Sequence, residues 1–270
     1  MSHCWRTMRA RSTRLAFAVT LLVAGTARAQ EIRVAAAADL RFALSELAGQ
    51  YEKQAETKVN VTYGSSGNFS AQIQNGAPFD LFFSADLEYL RKLEAAGLAE
   101  SGTLFEYARG RIVIWTRRDA PIDVATQGWD ALLSSTVEKI AIASPAHAPY
   151  GQAAVAALKN AGIFDQVKSK LVYGENISQA AQFVQSGNAQ AGIVALSLAL
   201  SPAMKDGKRW EIPADMHPPI AQGAILLKRA RNKAQARAFL EFVRSAEARA
   251  TFERFGFMTP EANVPSAGKP

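Results

Sequence analysis

Cysteine is almost absent from this 270-residue chain, and histidine is scarce: one Cys and three His in all. Cys4 lies ahead of Gln30, so the chain from Gln30 onward has no disulfide, no thiolate nucleophile and no Cys-ligated metal. His147 and His217 stand seventy residues apart, and neither sits in a spacing such as H-x-x-x-H. Neither G-x-G-x-x-G nor a Walker A loop occurs, which leaves nucleotide cofactors unsupported. Gly64-Ser65-Ser66-Gly67 does not match the G-x-S-x-G hydrolase elbow. A Ser nucleophile would need His147 or His217 as its base, and nothing in the sequence links either to Ser65 or Ser66. After the first 29 residues no apolar run approaches the ~18 residues needed to cross a bilayer.

Those first 29 residues form a targeting segment. Arg6, Arg9, Arg11 and Arg14 make a basic front, followed by the apolar run Leu15 to Ala24 and the small-x-small pattern Ala27-Arg28-Ala29. This is the layout of a cleavable signal peptide, with cleavage after Ala29 and export to the periplasm; the apolar run is too short for a permanent anchor. The formal net charge is +7, and removing the five Arg of residues 1–29 leaves +2. The basic balance is thus partly a property of the leader. No dense Lys/Arg stripe with interleaved aromatics remains, which argues against nucleic acid as a partner.

From Gln30 short apolar strands alternate with amphipathic helices. Strands are expected at Ile32–Ala37, Val59–Tyr63, Phe79–Phe83, Ile112–Thr116, Lys139–Ala143, Leu171–Tyr173, Ala191–Val194 and Ala224–Leu227. Helices are expected from Asp39 to Tyr51 with Asp39 as N-cap, at Phe69–Gln74 and at Leu87–Ala96 capped by Asp86. Further helices are expected at Gln152–Asn160, Ser178–Gln185, Lys233–Val243 and Glu247–Phe255. The tail from Glu261 carries two Pro and one Gly and is expected to be poorly ordered. The β-α-β series predicts an α/β fold of doubly wound sheets, whose strand-to-helix turns gather at one sheet edge. The length and strand order fit two interleaved lobes. Residues 30–110 and 222–270 form one lobe and 111–221 the other, with crossings near Gly110 and Ala221.

Four of the turns carry small or hydroxyl residues at a helix start: Ala38-Asp39, Ser65-Ser66-Gly67, Pro149-Tyr150-Gly151 and Asn176-Ile177-Ser178. A helix start has unpaired N–H groups and the positive end of the dipole, which makes it an anion site. Each turn alone is explained by ordinary N-capping. Together, with no Lys or Arg in the turn cores, they could cradle an oxyanion without metal or cofactor.

Several segments carry a family resemblance. These are Val34-Ala35-Ala36-Ala37-Ala38-Asp39-Leu40, Tyr63 to Gly67, the run Asn75-Gly76-Ala77-Pro78 through Ser84-Ala85-Asp86, Ala148 to Gly151 and Gly192 to Ala195. Over about residues 31–260 the chain resembles the periplasmic molybdate-binding proteins of ABC uptake systems. The resemblance implies a two-lobed type II periplasmic binding protein, each lobe a mixed sheet flanked by helices. It is not an enzyme; it closes on molybdate or tungstate and delivers it, as a monomer, to an inner-membrane ABC permease. It implies oxyanion contacts at Ala38, Asp39, Ser66, Tyr150 and Ile177, with Ser65 adjacent; the metal is reached only as its oxyanion, with no direct metal ligands. Ser66 would donate through hydroxyl and N–H, Tyr150 and Ile177 through backbone N–H. Ala195 stands where one branch of the family has a tyrosine donor, and Asp39 where members often carry Ser or Asn. A carboxylate ~4 Å from an anion repels it by about 1 kcal/mol per unit charge in water and about 4 at an effective dielectric of 20. Three roles for Asp39 stay open: its side chain caps its own helix, it takes a proton from a protonated oxyanion, or the ligand is of another class. Phosphate, sulfate or an organic acid are the alternative ligands, and a periplasmic serine hydrolase the alternative activity.

Overall fold

The structure, a computed structural model, describes residues 30–260. The expected signal peptide and the tail from Glu261 lie outside the described residues.

The chain opens with β1 (Gln30–Ala37), a 3-10 turn (Ala38–Leu40), α1 (Arg41–Ala55), β2 (Thr57–Gly64), α2 (Ser66–Gln74), β3 (Leu81–Ser84), α3 (Leu87–Ala95) and β4 (Phe105–Gly110). After Arg111 come β5 (Ile112–Thr116), the short helices α4 (Val124–Gln127) and α5 (Asp130–Leu133), β6 (Ile140–Ala143) and α6 (Pro149–Asn160). They are followed by α7 (Phe164–Val167), β7 (Leu171–Gly174), α8 (Ile177–Gln185), β8 (Ala191–Ala195), α9 (Leu196–Ala199) and β9 (Lys208–Glu211). The chain then returns through β10 (Ile220–Leu226), α10 (Lys233–Val243) and α11 (Ala246–Arg254).

Two five-stranded mixed sheets result, in the orders β2-β1-β3-β10-β4 and β7-β6-β8-β5-β9. In each, three neighbouring strands are parallel and the fourth, β10 or β5, runs antiparallel to both its neighbours. The chain passes between the sheets at Arg111 and returns between Glu211 and Ile220, and at that junction Gly110 pairs with Ile220.

The first sheet is covered on both faces, and the alternation of side chains along a strand shows how. Val34 and Ala36 pack with Leu44, Leu47 and Phe239 of α1 and α10 on one face. Ala35 packs with Phe69, Ile73 and Leu90 of α2 and α3 on the other. Strands buried on both sides read as continuous apolar runs, which is why β1, β5 and β6 are legible in the sequence. The core of the second sheet does not stop at its own lobe: Ala37, Ala38 and Ala85 of the first belong to the same cluster. The lobes therefore meet through small side chains where the four turns lie.

Several boundaries differ from the sequence expectation for local reasons. Helix α6 starts at Pro149, three residues earlier than expected, because proline is tolerated at the first helical position, where no N–H is needed. β3 starts at Leu81. Asp80 before it is held instead by its carboxylate, which accepts from the N–H groups of Arg33 (2.7 Å) and Arg231 (2.8 Å). β10 begins at Ile220, earlier than expected, and so brings the fully buried Gln222 into the sheet. β4 and β9 were not expected. β9 (Lys-Arg-Trp-Glu) is an edge strand alternating half-buried and exposed, with no apolar run to betray it.

Candidate functional site

The four turns converge. Ala38 and Asp39 follow β1, Ser65 and Ser66 join β2 to α2, Tyr150 lies at the start of α6, and Ile177 opens α8 after β7. All six residues line one cavity, with Ala37, Gly64, Ala85, Ala148, Pro149 and Asn176 completing it. Its volume of about 10 Å³ is close to that of one water, so any larger ligand, a tetrahedral oxyanion included, could enter only if the lobes parted. Asp39 and Tyr150 are the only ionisable side chains in the lining, and neither Lys nor Arg is present. Ala85, two residues before α3, was not foreseen as part of the site.

The helix starts that border this space carry donors with no intrahelical partner. Asn176 caps α8 with its own side chain, Oδ1 accepting from the N–H of Ser178 (3.0 Å) and Gln179 (3.1 Å). That leaves the Ile177 N–H, like those of Ser66 and Tyr150, in the first turn of a helix, where no intrahelical acceptor exists. Ser66 Oγ accepts from the Ala85 N–H at 3.0 Å, which fixes the hydroxyl while leaving its proton to donate. Ser65 does not cap α2 with its side chain. Its hydroxyl reaches across to the His147 carbonyl oxygen and lies 3.1 Å from His147 Nδ1.

Two of the sequence expectations need correction. Asp39 is not an N-cap: it sits inside the 3-10 turn, and no side chain caps that turn. Its Oδ2 accepts instead from Tyr150 Oη (2.9 Å) and Gln222 Nε2 (2.7 Å), so the carboxylate bridges the two lobes. The cause is burial. Asp39 is 1% exposed, and a carboxylate removed from water must find donors wherever they are. Burial raises its pKa from 3.8 to about 6, opposed by the hydrogen bonds of Gln222 and Tyr150 and by its own backbone. The Tyr150 hydroxyl is pushed well above its ordinary value by burial and by the Asp39 charge. Tyr150 thus has a side-chain role that the sequence did not suggest, and Gln222 was missed altogether. Its one signal in the sequence is a polar residue within an apolar strand.

The second correction concerns His147, which the sequence does not link to either serine. Folding brings it to Ser65, yet the pair is not arranged as a nucleophile and base: the Ser65 hydroxyl donates to the His147 carbonyl, and no carboxylate orients the ring among the described hydrogen bonds. Among the described residues no group of three or more His, Cys, Asp or Glu is placed to hold a metal ion. No helix of the described residues is long and apolar enough to cross a membrane.

Further bonds tie the lobes around the cavity. The Gly67 N–H donates to the His147 carbonyl (2.9 Å), Ser178 Oγ to the Ala38 carbonyl (3.0 Å) and Ser197 Oγ to the Asp39 carbonyl (2.9 Å). Two glycines make this approach feasible. A Cβ on Gly67 would lie 2.6 Å from the His147 carbonyl oxygen, and one on Gly110 only 2.2 Å from Tyr150 Oη.

Two mixed α/β lobes, joined by a short double crossing and closing small turns on one cavity, define a two-lobed binding protein of the periplasmic type. Residues 32–258 match the family model described as bacterial extracellular solute-binding protein, and the chain belongs to that family. The molybdate-binding protein ModA of Azotobacter vinelandii is 38% identical over 241 residues, covering 87% of this chain and 93% of its own. ModA of Rhodobacter capsulatus is 36% identical over 259 residues, covering 96% and 100%. A solved structure, the Azotobacter vinelandii periplasmic molybdate-binding protein, superposes with a TM-score of 0.80 at 35% identity, covering 85% of this chain and 100% of that one.

Proposed function

We propose that this protein is a periplasmic receptor that captures molybdate or tungstate between its lobes and hands the closed complex to an ABC permease in the inner membrane. The observation that carries the proposal is the convergence of Ala38, Asp39, Ser66, Tyr150 and Ile177, with Ser65 beside them, on one small cavity lined by no Lys or Arg. A tetrahedral oxyanion there would accept from helix-start N–H groups and the Ser66 hydroxyl, its charge balanced by dipoles and not by counter-charges. Fixed backbone donors select size, because their spacing cannot adjust to a smaller or larger ion. The relatives named above as molybdate-binding support this choice over sulfate, phosphate or an organic acid.

The contacts come from both lobes, so the ligand favours the closed form by its differential affinity for it, and the permease would read that closed shape. The protein performs no chemistry on its ligand, takes no cofactor, reaches the metal only as an oxyanion and acts as a monomer. The limits of the lobes (30–110 with 222–270, and 111–221) and cleavage after Ala29 belong to the same proposal. Calorimetric titration with molybdate, tungstate, sulfate and phosphate tests it. One-to-one binding with molybdate and tungstate tightest is expected; tighter phosphate or sulfate binding would reassign the ligand.

A further inference from the structure

The two oxygens of the Asp39 carboxyl are not equivalent. Oδ2 accepts from both Gln222 Nε2 and Tyr150 Oη, whereas Oδ1 is buried with no hydrogen-bond partner. The arrangement is fixed from behind. Tyr107 Oη donates to Gln222 Oε1 at 3.0 Å, which turns the amide N–H groups toward Asp39, and Gln222 Nε2 also donates to Tyr150 Oη at 3.0 Å. Asp39, Gln222, Tyr150 and Tyr107 are all buried. With Oδ2 already accepting twice, a proton on this carboxyl belongs on Oδ1. Asp39 itself lines the cavity assigned above to the anion. As an ionised group it would repel that anion; as an acid it becomes one more donor among donors.

We propose that Asp39 is the specificity-determining residue of the cavity and grips the anion as a neutral acid, so that each fully ionised oxyanion bound brings one proton onto Asp39 Oδ1. This rests on the function proposed above. The proton comes from solvent while the lobes are parted. A site made only of donors then favours an oxyanion without protons of its own, because a protonated one would have to find an acceptor.

The surroundings of Asp39 offer no competing charge. From α6 it faces Tyr150 and from β4 Tyr107, both with pKa values raised by burial, and from β10 the neutral Gln222. Helices α8 and α9 carry no ionisable residue. On α1, Arg41 lies over the Tyr63 ring, 5.2 Å from its centroid, and on β2 Lys58 pairs with Glu52 while Tyr63 bonds Ser45. His147 belongs to the loop before α6 and meets Ser65. Burial, even against the opposing hydrogen bonds of Gln222 and Tyr150, already lifts Asp39 to about 6, and a neighbouring anion raises a carboxyl further.

The test is calorimetry of the purified protein with molybdate in two buffers of different ionisation enthalpy, at about pH 7.5 and about pH 8.5, where an ordinary imidazole is neutral. Uptake of close to one proton per anion is expected, with Kd rising by up to about tenfold per pH unit. Asp39→Asn, whose amide donates at any pH, is expected to abolish the uptake and flatten the pH dependence of Kd. Molybdate binding with no proton uptake in the wild-type protein overturns the inference and leaves the function intact, and that count needs no variant to fold. Absence of binding to any tetrahedral oxyanion at either pH overturns both.

Discussion

Two polar bridges join the same pair of lobes, one at the floor of the cleft and one at its rim, and they are built on opposite principles. At the floor, Asp39, Tyr150, Gln222 and Tyr107 share four hydrogen bonds out of contact with water. At the rim, half-buried His147 accepts at its carbonyl from Gly67 and Ser65, and half-buried Asn68 donates to exposed Glu175 at 3.1 Å. Water can replace any rim bond when the lobes part. It has no access to the floor while they are closed, so there an unmade bond costs its full desolvation penalty. The rim can open and shut at little cost, while the floor decides whether the closed form is tolerable.

The comparison is broken most severely by Gln222→Leu. It strands the Tyr107 hydroxyl and removes one donor from Asp39, and should cost about 2–5 kcal/mol of stability by denaturant titration. A pH effect of similar size follows from Asp39. Its folded pKa of about 6 exceeds its ordinary 3.8, so the folded chain holds a proton that the unfolded chain has released. This contribution is complete below about pH 4 and disappears as pH rises through about 6, a difference of about 3 kcal/mol in the closed form. Melting temperature should therefore rise from about pH 7 to about pH 5 in the wild-type protein, and Asp39→Asn should lack that gain. Between floor and rim stands Ser66. Ser66→Ala leaves the Ala85 N–H unpaired and removes a donor from the cavity, and should weaken anion binding by about 1–3 kcal/mol in calorimetry. The rim should respond least. His147→Ala keeps the carbonyl that Gly67 and Ser65 use, and Asn68→Ala loses only one solvent-facing bond. Each should change stability by about 0.5 kcal/mol or less.

Much of this arrangement was legible in the sequence because it depends on patterns local to the chain. The apolar runs of β1, β5 and β6 announce strands buried on both faces, and the helix starts at Ser66, Tyr150 and Ile177 carry small residues just where donors are wanted. That the four turns meet follows from the strand order, since parallel strands deliver their carboxyl ends to one edge. The role of Asp39 was not legible. Capping is a local habit of Asp, whereas its actual partners lie 111 and 183 residues away in sequence, and only burial selects them. The same holds for His147, 82 residues from Ser65, and for β9, whose edge position removes the apolar signal. Long-range polar pairing leaves no periodicity in a sequence.

The central claim, that helix starts from both lobes hold one tetrahedral anion between them, is tested most directly by a crystal grown with molybdate and measured near the molybdenum absorption edge. A single anomalous peak is expected within hydrogen-bonding reach, about 3 Å from anion oxygen to donor, of the Ser66, Tyr150 and Ile177 N–H groups and the Ser66 hydroxyl. A peak elsewhere on the molecule, or closed lobes with no anion between them, would contradict it.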